Sequence, residues 1–131
     1  MIGVDTNVLV RYIFQDDVKQ SPLATRLIES CSPESPGFVP LVSVVELFWV
    51  MSSAYELDRV QLIAALEGLL RTKELVVEQA EIVWKALRIF RGANVDFADC
   101  LIAFSAANAG CKRTLTFDRA AAKSAGMTLL A

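Results

Sequence analysis

The sequence predicts an α/β fold, a three-layer α/β/α sandwich around a short, mostly parallel central sheet. Short apolar runs that read as strands recur at residues 1–4, 38–40, 75–77, 114–117 and 127–130. Helical segments fill the intervals, in the order β-α-α-β-α-α-β-α-α-β-α-β, and such alternation favours a parallel sheet covered by helices. Two of the runs deliver an aspartate, Asp5 and Asp118, at the strand ends where α/β folds place their crevices.

Composition narrows the chemistry. A chain of 131 residues fits a single domain, residues 1–131, able to bury roughly two thirds of its extended surface. Hydrophobic content of 54% and a mean hydropathy of +0.44 predict that some apolar surface is covered by a partner, in a dimer or a hetero-complex. The net charge of −2 is not that of a bulk nucleic-acid binder, so any basic groove must come from local clustering. Cys31, Cys100 and Cys111 are odd in number and widely spaced. They read as reduced core residues of a cytoplasmic protein rather than as a disulfide or zinc framework. Histidine is absent. That excludes Ser-His-Asp and Cys-His triads, histidine acid–base nucleases and nearly every zinc hydrolase site. A hydrolase built from this sequence must work with carboxylates and a hard, oxygen-seeking metal.

Taken in order, residues 1–4 form a buried strand that lacks the charged start and the cleavage site of a signal peptide. Asp5, Thr6 and Asn7 then precede a helix over residues 8–14, and all three are competent caps. After a polar loop, Ser21-Pro22 is expected to open a second helix with Leu23, Leu27 and Ile28 inward, ending near Cys31. Residues 32–37 carry two prolines and a glycine and read as a loop. Ser43 is expected to cap the next helix, with Glu46 three residues on completing a capping box. Pro36, Gly37, Pro40 and Glu46 argue against a membrane span there, despite the apolar run of residues 47–51. Flanked by Val45, Leu47 and Phe48, Glu46 is expected to be at least partly buried, and a buried charge needs a partner or a metal. Asp58 caps a helix with Val60, Ile63, Leu66, Leu69 and Leu70 inward. The helix after residues 75–77 turns Ile82, Val83, Ala86, Leu87 and Phe90 inward and Lys85, Arg88 and Arg91 outward. Trp49 and Trp84 read as core or interface residues. Asp96 and Asp99 then sit on one face at the start of a helix that Gly110 stops, ahead of a Cys-Leu-Ile-Ala run expected to be fully buried. Like charges that close raise each other's pKa.

Capping explains each acid separately, but it does not explain five acids from four elements (Asp5, Glu46, Asp96, Asp99, Asp118) expected at one edge. One or two Mg²⁺ or Mn²⁺ ions would satisfy such a set, and a carboxylate-held metal with open positions suits phosphoryl transfer. Lys112, Arg113 and Arg119, with Lys123 and, further off in sequence, Arg11, Arg88 and Arg91, could meet a polyanionic substrate.

Asp5-Thr6-Asn7 after a strand, Glu46 in an apolar helix, Asp96-x-x-Asp99 before Leu-Ile-Ala and Thr116-Phe117-Asp118 together resemble the PIN-domain ribonucleases. The small size is similar to that of the VapC-type toxins of toxin–antitoxin pairs. The resemblance spans essentially the whole chain. It implies a Mg²⁺- or Mn²⁺-dependent endoribonuclease for single-stranded RNA, with Asp5, Glu46, Asp99 and Asp118 as the catalytic and metal-binding set. It makes Asp96 an auxiliary acid and Thr6, Asn7 and Thr116 supports of the site, and it implies a cytoplasmic homodimer restrained by a small antitoxin. The family's usual aromatic after the last acid is missing from Asp118-Arg119-Ala120-Ala121. Two other readings remain. One is a phosphatase or phospho-acceptor domain with Asp5 as nucleophile, which Asn7 in place of a second acid disfavours. The other is a catalytically silent, PIN-like protein-binding module.

Overall fold

A computed structural model describes all of residues 1–131, and the element order is the one expected, twelve elements in the β-α-α-β-α-α-β-α-α-β-α-β pattern. The chain divides into two compact units, Met1–Ala80 and Glu81–Ala131. The first holds β1 (Ile2–Gly3), α1 (Thr6–Phe14), α2 (Gln20–Glu29), β2 (Gly37–Val39), α3 (Leu41–Ser53), α4 (Arg59–Leu70) and β3 (Leu75–Val77). The second holds α5 (Ala80–Gly92), which begins on the boundary, α6 (Phe97–Asn108), β4 (Leu115–Thr116), α7 (Arg119–Ser124) and β5 (Thr128–Leu129). Every strand pairing is parallel, as the helical crossovers require. The strands are shared between a three-stranded sheet, β1-β2-β3, and a two-stranded sheet, β4-β5.

In the first unit, β2 lies between its two neighbours, with Gly37 facing Ile2 and Leu75. A Cβ at Gly37 would stand 2.8 Å from Leu75 Cδ2 and 3.0 Å from Val4 Cγ2, so only glycine lets these side chains close over the strand. Leu9, Ile28, Val39, Val44, Leu47, Met51 and Leu66 are wholly buried in this unit. Leu47 and Met51 are therefore core residues, whereas Trp49, 68% exposed, shares an outer stripe of α3 with Val42.

Several local expectations are corrected. Lys19, rather than Ser21, stands at the cap position of α2, and the carboxylate that serves the helix start is that of Asp17. Its Oδ1 accepts hydrogen bonds from the Lys19 and Gln20 amides, which hold its carboxyl below the ordinary range. Ser21 is buried inside the helix with Ala24 and Ile28, and Leu23 is exposed. Ser43 does not cap α3: the helix already begins at Leu41 after Pro40, and the Leu41 amide donates to Glu78 Oε1 at 2.7 Å. Asp58 does cap α4, in a full capping box with Gln61. The face of α4 is rotated from the expected one, burying Leu62 and exposing Val60.

In the second unit, Ile82, Val83, Ala86, Leu87 and Phe90 of α5 are buried as its periodicity predicts. Phe90 meets Phe97 edge-on at 6.0 Å. Cys100 and Leu101 are buried, but Ile102 is exposed, so the apolar run of α6 is not buried throughout. Beyond α6, Gly110 at φ +100° lets the Cys111 amide return to the Ala106 carbonyl at 3.0 Å, and this turn leaves Cys111 exposed, not in the core with Cys31 and Cys100 as expected. No helix is long and apolar enough to cross a membrane.

Candidate active site

The candidate acids divide between the units, and each group is built by a strand end or a helix start. In the first unit the chain leaves β1 through Val4, whose amide is tied to the Phe38 carbonyl at 2.8 Å. Asp5 follows at once as the N-cap of α1, its Oδ1 accepting the Thr6 amide at 2.7 Å. The Thr6 hydroxyl donates to Glu46 Oε1, also at 2.7 Å. Thr6 is only 8% exposed, so one buried residue binds both exposed carboxylates and sets their spacing. Glu46 is exposed rather than buried. The expectation of a buried charge fails there because its position on α3 lies on the outer stripe between Val42 and Trp49. Asp5, Thr6, Asn7 and Glu46 line one cleft of about 510 Å³ with Val10, Arg11, Val50 and Tyr55.

Two of those lining residues belong to one polar network: Arg11, expected to meet a polyanionic substrate, and Tyr55, which carried no expectation. Tyr55 Oη donates to Asp16 Oδ2 at 2.7 Å, and its ring stacks on Phe14 with centroids 3.7 Å apart. The hydrogen bond to Asp16 and, second, burial hold the phenol above its ordinary range. Arg11 reaches Asp16 Oδ1 through Nη1 and Gln20 Oε1 through Nε. Tyr55 carried no motif; an aromatic following three small residues at the end of an apolar helix was the available signal.

In the second unit, Asp96 caps α6, accepting the Asp99 amide at 3.0 Å. Asp118 caps α7, accepting the amides of Ala120 and Ala121 at 2.8 and 3.2 Å. The Thr116 hydroxyl accepts the Asp118 amide at 3.0 Å, which ties the residue to the end of β4. The half-buried Asp99 carboxylate accepts no hydrogen bond. Its pKa is raised, first by burial and then by the negative fields of Asp96 and Asp118. Burial first, and then the charges of Asp99 and Asp96, push the buried Cys100 thiol upward. Lys112, Arg113 and Arg119 are exposed near Asp118 in sequence, and none of them forms an ion pair with a candidate acid.

Neither unit by itself gathers three acids into a ready-made metal cage. The donor chemistry nevertheless fits a hard cation. All donors are carboxylate oxygens, no basic side chain neutralises them, and Asp99 lacks any hydrogen-bond donor.

A family model for the PIN domain matches residues 2–126. The chain belongs to the PIN-domain family. With that membership comes the expected fold class, the α/β/α PIN-like sandwich. Among curated proteins, this PIN domain is similar to a VapC ribonuclease of Aquifex aeolicus (strain VF5). The two are 23% identical over 116 residues, covering 88% of this chain and 86% of the relative.

Proposed function

We propose that this PIN domain is a Mg²⁺- or Mn²⁺-dependent endoribonuclease acting on single-stranded RNA, and that it is the toxin of a toxin–antitoxin pair. The observation that carries the reading is Asp99, a half-buried carboxylate without a hydrogen-bond donor, lying in the fields of Asp96 and Asp118. A carboxylate in that condition is stabilised by a cation and penalised without one. The relative named as a VapC ribonuclease supports the choice of substrate.

Asp5, Glu46, Asp99 and Asp118 would hold one or two metal ions. When bound, such ions activate a water near neutral pH and offset charge developing on the phosphate. The protein's own groups do the positioning. Thr6 fixes Asp5 against Glu46, the Asp96 carboxylate braces the start of α6 at the Asp99 amide, and Thr116 braces Asp118. Asn7 lies on the cleft wall beside Asp5. Lys112, Arg113 and Arg119, all exposed, would draw in the RNA backbone. Attack by water predicts products with 5′-phosphate and 3′-hydroxyl ends.

On the same reading the protein is a single-domain, cytoplasmic homodimer restrained by a small antitoxin, with some of its exposed apolar surface covered in those assemblies. Val42 and Trp49 belong to that exposed surface. The test is cleavage of single-stranded RNA by the purified protein with Mg²⁺, with EDTA, and as Asp99→Asn. Cleavage is expected in the first sample alone, and cleavage persisting in the other two overturns the reading. The absence of a three-acid cage within either unit favours one rival, a catalytically silent binding module. Calorimetric titration with Mn²⁺ separates the two, because the silent module takes up no divalent ion.

A further inference from the structure

The cleft that holds Asp5 and Glu46 contains more than acids. Arg11 is the one cation on its wall, and Tyr55 is its one aromatic. Both are held in place by the same residue. Asp16 accepts from Tyr55 Oη through Oδ2 and from Arg11 Nη1 through Oδ1, at 2.7 and 3.4 Å. Gln20 fixes Arg11 Nε at 2.8 Å, which leaves Arg11 Nη2 without a protein partner. Phe14 lies nearly parallel to the Tyr55 ring, at 10° and 3.7 Å, and occupies one of its two faces.

Resting on the ribonuclease reading, we propose that Tyr55 and Arg11 form the nucleotide-contacting wall of this cleft. The Tyr55 face opposite Phe14 stacks on one unpaired base, and Arg11 Nη2 takes the adjoining phosphate. The chemistry follows from the parts. Every base has a π-face, so a rigid aromatic surface recognises single strands without reading sequence, and a paired base is not available to it. Phe14 and Asp16 hold the ring before the substrate arrives, which lowers the ordering cost of stacking. A phosphate strand entering a cleft that contains Asp5 and Glu46 also needs a positive contact. Arg11 supplies it from a position already fixed by Asp16 and Gln20. Tyr55 and Arg11 are thus substrate-positioning residues, and they explain a preference for single strands that the acids cannot.

The experiment measures binding rather than cleavage. Fluorescence anisotropy in Ca²⁺ compares a labelled single-stranded RNA, the same strand with an abasic nucleotide at each position in turn, and its duplex. Wild type is expected to lose affinity at one abasic position. Tyr55→Leu should lose about five- to hundred-fold on the intact strand and become indifferent to that position. Tyr55→Phe, which keeps the ring and drops only the bond to Asp16, should bind within a few-fold of wild type. Arg11→Gln should reduce the slope of log affinity against log salt by about 0.7 and leave the abasic pattern unchanged. Equal binding of intact and abasic strands by wild type, or a Tyr55→Phe loss as large as that of Tyr55→Leu, overturns the proposal. Circular dichroism of each variant separates misfolding from lost contact. If the protein binds RNA with this pattern but cleaves nothing in Mg²⁺, the ribonuclease reading fails and the binding wall stands.

Discussion

In Met1–Ala80 the paired acids Asp5 and Glu46 each receive a hydrogen bond from Thr6, one from its amide and one from its hydroxyl. In Glu81–Ala131, Asp96 and Asp118 receive backbone amides at the starts of their helices, and Asp99 receives nothing. The first unit therefore spends a neutral side chain to fix the distance between two exposed charges. The second leaves a half-buried charge unsatisfied among like neighbours, with its pKa raised. Hydrogen bonds position the acids in one unit, whereas burial and like charge leave one acid of the other without compensation.

Substitutions can break this contrast. Asp99→Asn should have the largest effect, lowering RNA cleavage by at least about a hundred-fold, since even residues that only brace a metal ligand cost about 10–100-fold when removed. Because it also removes one of three mutually repelling charges, the metal-free variant should melt on the order of 1–3 °C above wild type. Lost activity with unchanged or lower melting temperature would show that Asp99 is not under electrostatic stress.

Thr6→Val comes next. It removes only the hydroxyl that holds Glu46, so cleavage should fall about tenfold, while Thr6→Ser keeps most of it. Equal activity in both variants would deny Thr6 its positioning role. Asp96 then separates capping from charge. Asp96→Ala should cost about 1 kcal/mol in urea denaturation, whereas Asp96→Asn, itself a good cap, should cost much less. If Asp96→Asn lowers cleavage without lowering stability, the carboxylate acts on the site and not only on α6.

The smallest effect is in pH dependence. The folded pKa of Asp99 lies above its unfolded value, so the folded state binds the extra proton between the two. Asp99 therefore penalises the metal-free fold as pH rises through that window, and the penalty is relieved as pH falls below the unfolded value. Subtracting the Asp99→Asn denaturation curve from wild type across acidic pH should isolate this slope, and saturating Mn²⁺ should flatten it. An opposite slope would mean that the carboxylate is stabilised in the ionised form.

Much of this was legible in the sequence, because strand breaks, caps and acids are local signals. Asp58, Asp96 and Gly110 act as their neighbours dictate, and all twelve elements occur in the expected order. The failures share a cause. The helix over residues 41–53 is apolar on nearly every side, so periodicity could not decide that Trp49 and Glu46 face outward while Leu47 and Met51 face in. The start of that helix depends on Glu78, thirty-seven residues away, which satisfies the Leu41 amide two residues before the Ser43 that was expected to be its cap. In the site, Asp5 and Thr6 were visible as a motif. That Thr6 would reach forty residues along the chain to Glu46 was a tertiary fact with no local pattern, and for the Tyr55 of the same cleft wall the one signal was an aromatic after three small residues.

Gly37 has a consequence beyond packing. Val4 closes over it in the space a methyl group would need, and Val4 is the residue that hands the chain to Asp5. The placement of an acid in the cleft is thus governed by an atom that is missing from the neighbouring strand. An alanine at Gly37 would push the flexible end of Leu75 aside and press Val4 back by a few tenths of an ångström, a shift that Val4 passes on toward Asp5. A residue with no functional group of its own calibrates the site from beneath.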